Sequence, residues 1–304
     1  MKPVVAISCG DPCGIGPEVT AKALRHPAVR RALTPLIFGD ASFGDSSSLR
    51  VTSQLPERDL RPGKPTRAAG LAQYAYFRAA IDAAKSGEAE AICTAPVSKE
   101  QISRAGIDFM GHTEVLAEAF DCRVVMLMDG PRLRVALATN HLPLAKVPKA
   151  LNVPNLVAQL ELISRELAGV VGRKPRIAVC GVNPHAGEGG LLGLEEQRVI
   201  APAIAKARRK GLDVKGPFAA DGLFAKAHAF PFDVALAMFH DQGLVATKVF
   251  DFAGTVNVTL GLPVPRTSPD HGVAYDVAGQ NKANAMPMVS ALLKAAEYAM
   301  ARRR

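Results

Sequence analysis

The sequence predicts an α/β fold, and two patterns carry that prediction. Short apolar runs alternate with longer stretches in which apolar residues keep helical spacing, which is typical of strand–helix units. The chain has 304 residues, 48% hydrophobic and 21% charged, so it is long enough to form two domains. This composition is that of a folded globular protein and excludes a disordered chain.

The elements follow from the apolar spacing and from the positions of glycine and proline. The predicted strands lie at residues 3–7, 36–38, 91–94, 124–128, 133–139, 176–181 and 234–239. The predicted helices lie at 68–86, 154–168, 195–210 and 287–302, with a further helix that begins near Pro17, where the missing N–H of proline is not needed. Residues 42–66 are rich in serine, proline and charge, and we interpret them as a surface excursion.

Charge and apolar content narrow the classes of partner. The net charge is +9, but the basic residues are scattered and the chain has no tryptophan, so we expect no nucleic-acid partner. The positive charge instead suits anionic substrates and cofactors. No apolar run is long enough to span a bilayer, and the N-terminal apolar stretch is too short for a signal peptide. We therefore expect no membrane association and a cytoplasmic location. The five cysteines are odd in number and form no C-x-x-C pair, which argues against a disulfide framework or a zinc ribbon.

Three histidines come directly after predicted strands. His141, His185 and His240 follow the strands at 133–139, 176–181 and 234–239. Ligands bind outside the carboxyl ends of the strands in open α/β sheets, and three imidazoles that meet there would suit a catalytic divalent metal. The spacings do not form a motif by themselves, so three unrelated loop histidines remain the alternative.

Two glycine-containing segments lie at opposite ends of the chain. The first, GDPCGIGPE at residues 10–18, follows a strand and opens a helix, but Val19 stands where a dinucleotide fingerprint needs glycine, and a simple tight turn is the alternative. The second, HGVAYDVAG at residues 271–279 with Asn284 beyond it, resembles the adenine-nucleotide loop of the isocitrate and isopropylmalate dehydrogenase superfamily. That superfamily also carries an N-terminal loop similar to residues 10–18.

Further segments resemble the 4-hydroxythreonine-4-phosphate dehydrogenase family, which makes a precursor of pyridoxal phosphate. They lie at residues 111–114, 140–144, 183–190, 239–243, 257–263 and 266–268. The resemblance covers nearly the whole chain except residues 42–66, which are shorter than is usual in the family. It implies two α/β domains with a cleft between them, isocitrate/isopropylmalate dehydrogenase-like and not a classical Rossmann fold. Residues 1–100 and 255–304 would bind the nucleotide, and 101–254 would bind substrate and metal and form the dimer.

The resemblance also implies the site residues. In the family three histidines, here His141, His185 and His240, hold a divalent ion (zinc, magnesium or cobalt), and the metal site is shared across the interface of a homodimer. The residues that match the family's substrate contacts are His112, Thr113, Lys248, Asn257 and Arg266. From the residues alone, Lys248 and Arg266 could equally be solvated surface groups, and Thr113 could be a helix cap.

The cofactor implied by the resemblance is NAD. The residues of the nucleotide loop that would bind it are His271, Gly272, Ala274, Asp276, Gly279 and Asn284. The Asp276 carboxylate can accept a hydrogen bond from the ribose 2′-hydroxyl and would repel a 2′-phosphate, which favours NAD over NADP. A solvated loop acid is the alternative for Asp276.

The expected reaction is oxidation of the secondary hydroxyl of 4-phosphohydroxy-L-threonine, followed by decarboxylation to 3-amino-2-oxopropyl phosphate. A divalent ion would lower the pKa of that hydroxyl and stabilise the enolate left by loss of CO₂. Asp241, beside His240, could be the base or could orient the histidine, and the second role is favoured. The alternatives are a related dehydrogenase acting on 4-phospho-threonate, 4-phospho-erythronate or an aromatic dihydrodiol, and, less favoured, a metal-dependent hydrolase or a non-catalytic phosphate-binding protein.

Overall fold

The computed structural model describes residues 1–44, 47–227 and 231–303, and it confirms the α/β fold. The chain forms two compact units. The first comprises Met1–Val124 and Val256–Arg304, and the second comprises Val125–Thr255. In the part of the chain that the structure describes, no helix has the length and apolar character needed to cross a bilayer.

The first unit is a six-strand sheet with helices packed on it. Its strands are β1 (Val4–Ser8), β2 (Thr34–Asp40), β3 (Leu49–Ser53), β4 (Ala91–Thr94), β10 (Val256–Leu260) and β11 (Arg266–Pro269). Its helices are α1 (Gly16–Arg25), α2 (Pro27–Ala32), α3 (Arg67–Lys85), α4 (Lys99–Arg104), α5 (His112–Ala119) and α11 (Met286–Arg302). The strand order is β3-β2-β1-β4-β11-β10, parallel except for the β10–β11 pair.

Helix α3 forms much of the core of this unit. The Thr66 hydroxyl caps it by accepting a hydrogen bond from the Ala69 N–H, and Tyr76, Phe77 and Ile81 on its inner face are fully buried. It packs against β1 and β2 on one side and against α4 on the other. Because α4 packs against α3, the first unit extends to Val124, beyond the domain boundary at residue 100 that the resemblance implied.

The second unit is a five-strand sheet. Its strands are β5 (Val125–Asp129), β6 (Arg134–Leu137), β7 (Ile177–Cys180), β8 (Val214–Phe218) and β9 (Val234–Ala237). Its helices are α6 (Val147–Ala150), α7 (Val153–Val171), α8 (Ala201–Arg209), α9 (Ala220–Ala225) and α10 (His240–Phe250). The strand order is β5-β6-β9-β7-β8, and β6, β9, β7 and β8 run parallel. Its core lies between these strands and α9 and α10, around Phe224 and Leu244.

The structure differs from the sequence expectations at three places. The excursion 42–66 contains the edge strand β3, whose Arg50 and Val51 are exposed and so give no apolar signal. Three further strands were not predicted: β8, which holds Gly216 and Pro217 at a sheet edge where proline is tolerated, and the β10–β11 pair. The helix expected at 195–210 begins as a π-helical turn at 196–200, because Pro202 has no N–H to continue the α-helical pattern.

Candidate functional site

A buried guanidinium marks the first part of the site. Arg266, on β11, is 3% exposed. Its Nη2 donates to Thr94 Oγ1 at 2.6 Å and its Nη1 to Thr259 Oγ1 at 3.4 Å, while its Nε is inaccessible to solvent and has no partner. Burial lowers the pKa of Arg266 to about 10, opposed by the nearby Cys93 and Glu114. No carboxylate pairs with it among the described residues, so the structure excludes the solvated surface role and leaves a buried cation that an anion would neutralise.

The register of the β10–β11 pair sets the neighbours of Arg266. Thr259 lies opposite Arg266, and Asn257 lies opposite Ser268. Side chains two residues apart along a strand share one face, so Asn257 lies on the same face as Arg266. The Oδ1 atom of Asn257 is also inaccessible and has no partner. The strand pair thus presents a cation and an amide, both with unused hydrogen-bonding capacity.

His112 adds a neutral imidazole beside Arg266. It is the first residue of α5, and its ring contacts those of Phe77 and Phe109 edge to face, with centroids 4.5 and 5.6 Å apart. Burial holds the pKa of His112 well below 6.5, and the positive charges of Arg266 and Lys99 lower it further. Its Nε2 is inaccessible and unpartnered. At neutral pH His112 is therefore uncharged and has a ring nitrogen available to a ligand.

The other two expected substrate residues are placed differently. Thr113 is the second residue of α5, whose cap position is Gly111 without a side-chain cap bond, so Thr113 is not the helix cap. Lys248 belongs to the second unit, on α10, with its Nζ 5.8 Å from the centroid of the Phe252 ring. His112, Asn257 and Arg266 are the members of the predicted set that the first unit builds into one polar group.

The expected metal ligands follow three neighbouring strands of the second unit. β6, β9 and β7 are adjacent and parallel, so His141, His240 and His185 come after strand ends at the same edge of the sheet. The rings of His141 and His240 lie side by side, with centroids 5.5 Å apart and planes tilted by 42°. His185 instead lines a cavity of about 370 Å³ with Asn183, Phe239 and Gln242. Within the described residues of one chain, no three His, Cys, Asp or Glu side chains form a metal-binding group.

Asp241 orients His240. Its Oδ1 lies 2.8 Å from His240 Nδ1, and its carboxylate is 83% exposed. When a carboxylate accepts a hydrogen bond from the Nδ1–H group, Nε2 carries no proton and can bind a metal. This is the usual arrangement of a metal-binding histidine. Three imidazoles are a donor set that suits zinc or cobalt. In one chain the rings of His141 and His240 are in contact, and the three histidines do not form a metal-binding group among the described residues.

The two motifs from opposite ends of the chain contact each other in the first unit. Ile15 N–H donates to the Val273 carbonyl at 2.9 Å, and Ala283 N–H donates to the Glu18 carboxylate at 2.9 Å. A Cβ at Gly14 would lie 2.9 Å from the Val273 carbonyl oxygen, so this approach requires glycine. Residues 10–18 are therefore more than a tight turn, because they form the surface on which the loop 271–284 rests.

A buried acid joins these motifs. Asp11 is fully buried and accepts hydrogen bonds from Cys13 N–H at 2.8 Å, Gln73 Nε2 at 3.2 Å and the Tyr275 hydroxyl at 2.5 Å. Burial raises the pKa of Asp11, and these three bonds oppose the rise. Asp11 and Tyr275 were part of the sequence motifs, but their contact depends on the fold and had no sequence signal.

The predicted cofactor residues lie along this loop. Ala274 and Gly279 have φ values of 44° and 75°, in the left-handed region. Asp276 is exposed, and its carboxylate forms no hydrogen bond or ion pair among the described residues. The Asn284 side chain accepts a hydrogen bond from Met286 N–H at the start of α11. Gly272 is exposed, and His271 Nε2 is inaccessible and unpartnered. The loop 271–284 thus carries an exposed carboxylate, an amide and an imidazole, and its backbone contacts residues 10–18.

Comparison with known proteins identifies the family. The family model described as "Pyridoxal phosphate biosynthetic protein PdxA" matches residues 19–295. A 4-hydroxythreonine-4-phosphate dehydrogenase from Geobacter metallireducens is 43% identical, over 98% of this chain and 96% of the relative. A relative from Oceanobacillus iheyensis, provisionally named as a D-threonate 4-phosphate dehydrogenase, is 37% identical over 98% of both chains.

A solved structure gives the same result. The crystal structure of a 4-hydroxythreonine-4-phosphate dehydrogenase from Klebsiella pneumoniae is 35% identical, superposes with a TM-score of 0.85, and the match covers 98% of this chain and 100% of that one. The resemblance drawn from the sequence motifs is confirmed. The chain belongs to the PdxA family of pyridoxal phosphate biosynthetic proteins and is a dehydrogenase.

Proposed function

We propose that this protein oxidises 4-phosphohydroxy-L-threonine with NAD and a divalent metal, in the synthesis of pyridoxal phosphate. The product of oxidation is a β-keto acid, which loses CO₂ to give 3-amino-2-oxopropyl phosphate. The names of the relatives support the substrate. The observation that carries the proposal is the buried Arg266, a cation that forms no ion pair with a carboxylate among the described residues and so fits an anionic substrate.

The substrate-binding residues act by charge and hydrogen bonding. Arg266 would hold an anionic group of the substrate by charge and by charge-assisted hydrogen bonds. Asn257 Oδ1 would accept a hydrogen bond from a substrate hydroxyl or amine, and neutral His112 would offer a ring nitrogen without adding charge beside Arg266. Thr113 and Lys248 are expected to complete the contacts to the phosphate or carboxylate.

The cofactor and metal have separate binding residues. When bound, NAD supplies the hydride acceptor and the divalent ion supplies positive charge beside the reacting hydroxyl. His271, Gly272, Ala274, Asp276, Gly279 and Asn284 would hold NAD, and His141, His185 and His240 would hold the ion. Asp241 keeps the His240 proton on Nδ1 and so fixes the tautomer that leaves Nε2 for the metal.

The active assembly we propose is a homodimer in which the copies share the metal site. The division of the three histidines within one chain supports this, because a second copy would bring the sets together. Val245 and Val249 lie one turn apart on the outer face of α10, the helix that His240 begins, and both are exposed together with nearby Phe252. An exposed apolar face of this kind is typical of a subunit interface. The cytoplasmic location stays a prediction.

A related phosphorylated acid is the second candidate substrate. The relative from Oceanobacillus iheyensis supports it, because its provisional name gives D-threonate 4-phosphate as the substrate. That acid has a hydroxyl where the threonine derivative has an amine, and Arg266 would serve either compound. A dihydrodiol has no phosphate to neutralise the buried guanidinium.

The deciding experiment measures NADH formation by the purified protein with NAD and a divalent metal. 4-Phosphohydroxy-L-threonine, 4-phospho-D-threonate, 4-phospho-erythronate and a dihydrodiol are compared in parallel. We expect turnover of the first compound, abolished by a chelator and by His185→Ala. Turnover of another compound alone would move the enzyme to a related pathway, and no turnover with no NAD binding would refute the proposal.

A further inference from the structure

The segment that carries His185 has an unusual backbone. Five consecutive residues, 185–189, have positive φ between 43° and 80° and form one left-handed turn. Gly187 and Gly189 adopt this conformation without strain, but His185, Ala186 and Glu188 do not, because a Cβ crowds the backbone there. Strained backbone of this kind persists only where the surroundings hold it, and it concentrates at functional sites.

Glu196 is the group that holds the turn. It is 3% exposed, and its Oε1 accepts from Val182 N–H at 2.7 Å and Asn183 N–H at 2.8 Å, while its Oε2 accepts from Asn183 Nδ2 at 2.9 Å. No cation pairs with this carboxylate among the described residues. All its hydrogen bonds therefore go to the two residues that lead into the turn.

Two further contacts join Glu196 to the turn. A Cβ at Gly187 would lie 2.7 Å from Glu196 Oε2, so the carboxylate packs directly against the inside of the turn. Glu196 is also the first residue of the π-helical turn, where its carbonyl accepts from Ala201 N–H. Single π-turns inside helices are frequent at functional sites.

We infer that Glu196 is a positioning residue, which sets the left-handed turn so that His185 is placed for metal binding before the metal arrives. The inference rests on the metal site of the proposed function and goes beyond it by assigning the residue that prepares one ligand. Without the carboxylate, the N–H groups of Val182 and Asn183 lose their acceptor and the strained residues relax. The His185 imidazole must then become ordered when the metal binds, and this ordering lowers the metal affinity.

Two glycine variants probe the contact with Glu196, and in the first of them the new Cβ would also lie 3.2 Å from the Gly193 carbonyl oxygen. Gly187→Ala and Gly189→Ala place a Cβ in the same left-handed conformation, but only the first meets Glu196, because nothing lies within 4 Å of a Cβ at Gly189. We expect Gly187→Ala to weaken metal affinity by roughly 10- to 100-fold, as loss of a group supporting a metal ligand does. We expect Gly189→Ala, the matched control, to weaken it by no more than roughly fivefold.

Substitution of the acid gives an independent test. Glu196→Ala should weaken affinity as much as Gly187→Ala, and Glu196→Gln should restore most of it, because the amide oxygen can still accept from the N–H groups of Val182 and Asn183. The measurements on the whole protein are Zn²⁺ affinity by chelator competition and the visible absorption spectrum of bound Co²⁺. Circular dichroism identifies any variant that does not fold. If a Glu196 variant does not fold, the comparison of Gly187→Ala with Gly189→Ala decides whether Glu196 positions His185.

The outcomes separate this inference from the proposed function. Absence of metal binding by the unsubstituted protein, or no loss in His185→Ala, would refute the metal site and the inference with it. Wild-type binding that depends on His185 but is equal in Gly187→Ala and Gly189→Ala would overturn the role of Glu196 alone. The inference would be supported if Gly187→Ala and Glu196→Ala lose metal affinity and change the Co²⁺ spectrum, and if Glu196→Gln recovers most of that affinity.

Discussion

The two groups of proposed binding residues differ in how complete one chain makes them. Arg266, Asn257 and His112 belong to one unit, and strand register and aromatic packing fix their positions. The histidines of the second unit are divided, with His141 and His240 together and His185 on its own turn. The first group is thus preformed and has unused hydrogen-bonding capacity, whereas the three histidines do not form one metal-binding group among the described residues.

The largest expected effect follows from removing the buried cation. In Arg266→Met, kcat/KM should fall by about 10³-fold, because loss of one member of a buried charge pair costs roughly 4 kcal/mol in binding. The free protein should lose little stability, since no carboxylate forms an ion pair with this buried guanidinium among the described residues and only its hydrogen bonds to Thr94 and Thr259 are lost. Steady-state kinetics and thermal unfolding test both halves.

Arg134→Met is the contrasting control. Arg134 pairs with the fully buried Asp129 at 2.9 Å, so the variant removes a positive charge from beside a buried carboxylate. We expect a loss of about 3–5 kcal/mol in the free energy of unfolding. Equal destabilisation by the two variants would show that Arg266 is satisfied within the free protein.

The next effect tests completion of the metal group by a second copy. Val249 is 81% exposed on α10, and Val249→Glu should weaken self-association at least tenfold and metal affinity with it, because a charge would be buried in the interface. Val51→Glu, at a 59% exposed position on β3, is the matched control. Analytical ultracentrifugation measures the association, and a Val249→Glu protein that dimerises like the control would place the interface elsewhere.

A smaller effect concerns the contact between the end motifs. Tyr275→Phe removes one hydroxyl from the buried Asp11 and should weaken NADH binding about tenfold, because the loop 271–284 loses a hydrogen bond to a charged group. The free energy of unfolding should fall by about 1.5–3 kcal/mol. Tyr74→Phe, on the outer side of α3 against Phe109, should change neither quantity in fluorescence titration and denaturant unfolding.

The smallest effect is a pH dependence. The pKa of His112 is lower in the folded state than the ordinary 6.5, so the unfolded state takes up its proton first as pH falls. His112 therefore costs no stability above pH 6.5 and destabilises the fold below it, by at most about 1.4 kcal/mol per pH unit. Unfolding free energies from pH 7.5 to 5 should fall less steeply in His112→Asn than in the wild type. Parallel curves would mean that His112 titrates normally.

Much of the site could be predicted because its signals are local. The strand ends that precede His141, His185 and His240 follow from apolar runs, and the three parent strands do lie side by side. The segments at 111–114, 140–144, 183–190, 239–243, 257–263 and 266–268 are short and continuous, and the family that they indicated is confirmed. Burial of Arg266 could not be read from its neighbours in the chain, because it arises from the pairing of β11 with β4 and β10.

The unpredicted parts depend on contacts between distant residues or on weak strands. Asp11 and Tyr275 are 264 positions apart, and their hydrogen bond exists only because the first unit brings both ends of the chain together. The left-handed turn at 185–189 includes Ala186, a residue that does not favour positive φ, and the turn packs against the distant Glu196, which no local sequence signal indicates. β3 and β8 lie at sheet edges, where partial exposure weakens the apolar pattern.

The discontinuous first unit has a consequence for synthesis of the chain. β11 lies between β4 and β10, so the N-terminal strands cannot complete their sheet until residues 256–304 have left the ribosome. Residues 125–255 are continuous and can fold while the last segment is still being translated. Until then residues 1–124 cannot complete their sheet, and the edge of β4 stays unpaired. The nascent chain is therefore a candidate for chaperone binding during that interval.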